Sequence, residues 1–228
     1  MRDLTDIFIS NQTVSDITHD MSQVDGAYGD SDNVDYDVKV SKIRERLTKL
    51  TSAYIPGFSI SNNWMYEACR IASLIYAASI IQRLPFSVTA DPRYNTLVAE
   101  LEVSSYSDAG LRPYTTCLSD ALYAVLERTD IANAWGNMTG VLYWVSTVGA
   151  MAARSPTTTH RTQQPKLCDE TRAVWVRRCL TIFSIRSATK IVFDHPKPLL
   201  IAQKKLLKVQ ELIRSYGEDH NAVGMRRM

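Results

Sequence analysis

Glycine is scarce, with 9 in 228 residues, and the nine are scattered. Neither G-x-x-x-x-G-K-[ST] nor G-x-G-x-x-G occurs, so the usual glycine-rich phosphate cradles are absent. The four cysteines, at 69, 117, 168 and 179, are too far apart for a C-x-x-C metal pattern. Nothing suggests secretion, so reduced thiols are expected, with Cys69 and Cys179 buried in apolar helical stretches. The histidines at 19, 160, 195 and 220 are isolated, and no H-E-x-x-H or E-x-x-H pair exists. G-x-S-x-G is missing, which removes the commonest serine-nucleophile signature. No cofactor is therefore expected.

Long apolar runs are also lacking. The N-terminus has no apolar signal-peptide core, and no stretch reaches the ~20 apolar residues of a membrane helix. Residues 64–82 come nearest, but Glu67 and Arg70 interrupt them. An intracellular chain without a membrane partner is the expectation. Period-two alternation, hairpin dipeptides between apolar runs and internal repeats are missing too, which argues against strands and solenoids.

What remains is helical patterning and an uneven charge distribution. Residues 1–40 hold nine acidic and two basic side chains, a balance of −7, and the other 188 residues balance at +9. Residues 1–37 read as a flexible acidic arm, within which D-L-T-D-I-F-I at 3–9 is a candidate docking element. The Asp30–Asp37 cluster reads as solvated linker rather than as a metal motif. The expected fold is all-α, a single domain of about seven helices over 38–217 with a frayed tail at 218–228. Helices are expected at 38–53, 63–83 (capped by Asn62 or Asn63), 94–103, 116–128, 131–153 (capped by Asp130), 169–193 and 199–216. Pro85 ends the second, His195-Pro196-Lys197-Pro198 breaks the sixth, and Gly217 closes the last. Polar loops are expected at 104–113 and 154–168.

The helix at 63–83 is apolar on more than one face, a pattern that belongs in the middle of a helical protein. Its two charges, Glu67 and Arg70, are three residues apart. They read either as an i,i+3 ion pair or as a pair lining a cavity. Trp135, Tyr143 and Trp144 are core aromatics or pocket walls, and Tyr or Trp needs a partner for its polar atom when buried. Arg177, Arg178 and Arg186 recur on the helix that carries Trp175, either as an anion site or as a solvated face.

The run W-M-Y-E-A-C-R-I-A-S-L-I-Y-A-A-S-I at 64–80 resembles a helix of the fungal-specific regulatory domain of zinc-binuclear-cluster transcription factors. Similar stretches are L-E-R-T-D-I-A-N-A-W-G-N-M-T-G-V-L-Y-W-V at 126–145, R-A-V-W-V-R-R-C-L-T-I-F-S-I-R-S at 172–187 and L-L-K-V-Q-E-L-I at 206–213. The resemblance spans about 40–215 and implies an all-α regulatory domain. The six closely spaced cysteines of that family's DNA reader are missing, so direct nucleic-acid binding is not carried over.

Two function classes are expected. In the first, a stand-alone domain holds a hydrophobic small molecule and steers a cofactor-free cyclisation or isomerisation in fungal secondary metabolism, a pericyclase-like role. Its expected ligand-binding residues are Trp64, Glu67, Arg70, Tyr76, Trp135, Tyr143, Trp144 and Arg178. In the second, the chain is a non-DNA-binding transcriptional regulator or interaction module, partnered by a second copy or by a transcription factor. An aromatic-lined cavity favours the first, and a filled core with an exposed apolar patch favours the second.

Overall fold

The computed structural model describes residues 30–105, 116–154 and 170–225. Among them are eight α-helices and no strand, an all-α fold as expected. They are α1 (Asp30–Thr48), α2 (Trp64–Gln82), α3 (Phe86–Thr89), α4 (Thr96–Ser105), α5 (Leu118–Glu127), α6 (Thr139–Ala152), α7 (Glu170–Asp194) and α8 (Pro196–Met225), with 3-10 turns at Pro92–Tyr94 and Gly136–Met138. One continuous core runs from Ile43 to Ile213 through all of the longer helices, so they form a single domain.

α2 is the hub. Every residue from Tyr66 to Ile80 is buried, and α1, α3, α4, α5, α6 and α8 pack around it. Ala68, Ala72, Ser73, Ala77, Ala78 and Ser79 carry little volume, so neighbours can approach from all sides. The Asn63 side chain accepts the Tyr66 N–H at 3.1 Å and caps the helix. Both ends turn sharply through left-handed residues, Asn62 (φ 63°) and Arg83 (φ 53°). Asn tolerates that conformation; for Arg83 it costs about 1–2 kcal/mol, held by the N–H bonded back to the Ser79 carbonyl and by Pro85 beyond.

α6 and α7 share the most extensive helix–helix contact. Gly149 permits that approach: a Cβ there would lie 2.7 Å from Leu122 Cδ2 and 2.9 Å from Leu180 Cδ1. The Thr147 and Ser184 hydroxyls meet across the seam at 2.7 Å.

Several boundaries differ from expectation. α1 begins at Asp30, inside the stretch read as arm, because 30–37 offer little apolar spacing to mark a helix. The helix expected from Ile131 starts only at Thr139. The Asp130 carboxylate binds the Asn133 backbone N–H and Nδ2 instead, at 3.2 and 2.8 Å, and closes a turn. α8 starts at Pro196, where a missing N–H costs nothing, and runs through Gly217 to Met225 rather than stopping. Cys69 and Cys179 are free as expected, but Cys117 is disulfide-bonded to a partner outside the described residues. Reduced thiols were expected because nothing in the sequence suggests secretion, an argument about compartment that says nothing of which cysteines the fold brings together. The expected arm at 1–29, and the loops over 106–113 and 155–168, also lie outside the described residues.

Candidate functional site

The residues expected to line one pocket fall into separate places. Glu67 and Arg70 form a buried bidentate pair, Nε to Oε2 at 3.1 Å and Nη2 to Oε1 at 2.9 Å, with 0% and 2% exposure. The carboxylate also accepts the Ser52 hydroxyl at 3.0 Å and the Ala53 N–H at 2.8 Å. Burial alone would raise the Glu67 pKa. The Arg70 charge and these hydrogen bonds outweigh it and hold the carboxyl below its usual range. The Tyr66 hydroxyl donates to the Thr51 carbonyl at 3.0 Å, and Asn62 N–H donates to the Ala53 carbonyl at 3.0 Å. The pair thus clamps the loop after α1 onto the start of α2.

A second polar clamp holds the other end of α2. The Ser79 and Thr89 hydroxyls meet at 2.6 Å. Buried Asn95 donates to the Thr89 and Leu74 carbonyls at 2.8 and 3.3 Å. Its Oδ1 accepts the Leu97 and Val98 N–H groups, capping α4.

Trp64 lies at the surface end of α2. The Arg128 guanidinium sits 4.6 Å from its ring centroid and 5.4 Å from that of Tyr54, and the two rings are tilted at 5.2 Å. Trp135 is fully buried in the turn before α6, with Nε1 donating to Thr129 Oγ1 at 3.0 Å, so its polar atom is satisfied within the core. Tyr76 and Trp144 do come together, edge to face at 5.6 Å, and Phe86 stacks on Tyr76 at 5.9 Å. Tyr76 is buried, which pushes its hydroxyl pKa up, and among the described residues that hydroxyl has no hydrogen-bond partner. Tyr143 is buried outside the main core cluster. Arg178 is exposed on α7 and does not line an interior with the others.

Burial pushes the Cys69 thiol up to about 12, so it is no nucleophile at neutral pH. Among the described residues no group of three or more His, Cys, Asp or Glu could hold a metal ion, and no helix is long and apolar enough to cross a membrane.

The feature that stands apart is α7. Its inner face, with Val176, Leu180 and Ser187, is buried, and Phe183 packs on the core. Its outer face is also apolar, yet open: Trp175 is 56% exposed, Ile182 53%, Ile185 59% and Phe193 82%. Trp175, Arg178, Ile182, Ile185, Thr189 and Val192 step by threes and fours, the spacing of a helix-docking seam. At 1.5 Å per residue the seam is roughly 26 Å long. Arg172, Arg177, Arg178, Arg186 and Lys190 border or interrupt it, all exposed. Among the described residues none of the five side chains makes a hydrogen bond or ion pair. The sequence marked Arg177, Arg178 and Arg186 on the helix of Trp175, but not the division of that helix into two opposite apolar faces. The alternation of 176, 180, 183 and 187 with 175, 182, 185 and 192 carried that signal.

No family model, curated protein or solved structure matches the chain.

Proposed function

We propose that the chain is a non-catalytic, all-α interaction module, of the regulatory kind its sequence resembles, and that the outer face of α7 takes up an acidic, amphipathic helix of a protein partner. The observation that carries this reading is the open apolar seam on α7 with five unpaired cations around it. Exposed apolar surface of this kind marks an interaction site, and the cations choose the sign of the partner's charge. The two polar clamps on α2 favour the same reading: Glu67 and Arg70 are held by structural bonds within the chain. The test places a photo-crosslinking amino acid at position 185 and exposes the chain to an extract of its source cells. A discrete adduct with one acidic protein is expected, lost in Ile182→Asp while the helical circular dichroism is unchanged. Labelling that ignores Ile182→Asp would count against the module.

One observation favours a second reading, a hydrophobic small-molecule handler and cofactor-free cyclase or isomerase. The unpartnered Tyr76 hydroxyl beside Trp144 and Phe86 is the kind of polar tip that orients a ligand in an aromatic niche. Mass spectrometry of small molecules retained by the purified chain tests it. A retained compound that Tyr76→Phe releases would support this reading, and empty protein would end it.

A further inference from the structure

The outer face of α7 raises a question of what keeps it soluble before a partner arrives. α7 holds five basic and two acidic residues, a balance of +3. A second copy seated on the same face would bring two helices of the same positive balance together, which costs energy. The occupant must therefore be acidic as well as apolar. Residues 1–29 of the same chain have that chemistry. They hold five acidic residues and one basic one, a balance of −4. Leu4, Ile7 and Phe8 fall at i, i+3 and i+4, so they would share one face of a helical turn, with Asp3 and Asp6 beside them. Their length is also sufficient. They join the fold at the start of α1, and 29 extended residues span up to roughly 95 Å. A domain of this size has a radius of gyration of roughly 17 Å, so every surface of it is within reach.

We propose that the acidic N-terminal segment, through Leu4, Ile7 and Phe8, docks on the outer seam of α7 and competes there with the acidic partner helix. This rests on the reading of the α7 face as a docking surface. The segment acts as an internal mimic of the partner. It shields Ile182 and Ile185, pairs Arg178 and Arg186 with carboxylates, and raises the concentration at which a partner can bind. Because the competition is intramolecular, even weak contacts suffice: a tethered segment is present at an effective concentration in the millimolar range.

The test uses the full chain, purified, with the photo-crosslinking amino acid at position 185. Peptide mapping is expected to find the adduct within residues 1–29 of the same molecule, shown by mixing isotopically light and heavy protein. Its yield should drop severalfold in Ile7→Asp/Phe8→Asp. It should also drop at about 1 M salt, where the Debye length is ~3 Å. The double variant should label its protein partner in extract more strongly than the parent does. Adducts between light and heavy copies, or adducts elsewhere in the chain, would overturn the proposal. If residues 1–29 are not labelled while partner capture in extract persists, the internal mimic fails and the docking face stands. If neither is labelled, both fail. Binding to anionic lipid vesicles that removes the intrachain adduct no faster in the double variant than in the parent would also overturn it.

Discussion

In α2 every side chain from Tyr66 to Ile80 is buried, whereas in α7 burial stops at one face and Ile182, Ile185 and Phe193 stand in solvent. Both helices are apolar on more than one side, so hydrophobicity alone does not separate them. Side-chain size and charge do. α2 offers alanines and serines to its neighbours and has only two charged residues, which satisfy each other. α7 carries seven charged residues, and five of them are cations that cannot enter a core without partners. A helix of the first kind can be surrounded by its own chain. One of the second kind buries a single face and leaves the other for something that brings acid.

The largest effect should come from breaking the α2 pair. Arg70→Met leaves the Glu67 carboxylate buried without its bidentate counter-charge, and should cost about 3–5 kcal/mol in denaturant unfolding. Replacing both, as Glu67→Gln with Arg70→Met, should recover much of that loss, because no uncompensated charge remains. A double variant as unstable as Arg70→Met would mean that the pair acts through shape rather than charge.

Next comes the contrast within α7 itself. Leu180→Ala removes a fully buried side chain that packs against Gly149 on α6, and should cost about 2–4 kcal/mol. Ile185→Ala, five residues away on the open face, should stay within ~0.5 kcal/mol of the parent. Similar costs would mean that Ile185 belongs to the folded core and not to a docking face.

The pH dependence sharpens the same division. The folded Glu67 carboxyl is held below its ordinary value of 4.5, so its contribution is fully present above that value. It is lost as pH falls through the lowered folded value. Stability should therefore decline in acid below about pH 4.5, and this component should vanish in Glu67→Gln with Arg70→Met. An unchanged acid limb in the double variant would assign the decline to other carboxylates.

Much of the fold was legible because its signals are local. The Asn62-Asn63 start and Pro85 stop of α2 were readable from residue type, and so was its multi-sided burial. The His195-Pro196 break between α7 and α8 was equally plain. The start of α6 was not, since Asp130 resembles a helix cap and only its bonds to Asn133 show that it closes a turn. The site was less legible. A lone Glu-Arg pair has the same spacing whether it lines a cavity or clamps a loop, and the Ser52 and Ala53 partners lie some fifteen residues away in sequence. Trp135 could be core or pocket wall by residue type alone, and its 1% exposure with the indole N–H on Thr129 puts it in the core. The two faces of α7 could be read from spacing, but which one the fold would cover depended on α5 and α6.

The smallest effect on stability should be the most informative for function. Ile185→Asp puts a carboxylate on the open seam near Arg178 and Arg186, where water already reaches the side chain. Unfolding free energy should change by less than about 0.5 kcal/mol, since no buried group is lost and new attraction to the arginines is screened by solvent. Binding should behave oppositely. The apolar anchor at the centre of the seam is gone, and the new charge repels an acidic partner while removing part of the field that draws it in. Partner capture should therefore fall at least tenfold, and Ile185→Lys should lose affinity less, because it deletes the same anchor but keeps the sign of the field. If the two variants lose binding equally, packing alone recognises the partner. If Ile185→Asp unfolds the domain, the outer face of α7 belongs to the core after all, and the distinction between the two helices disappears.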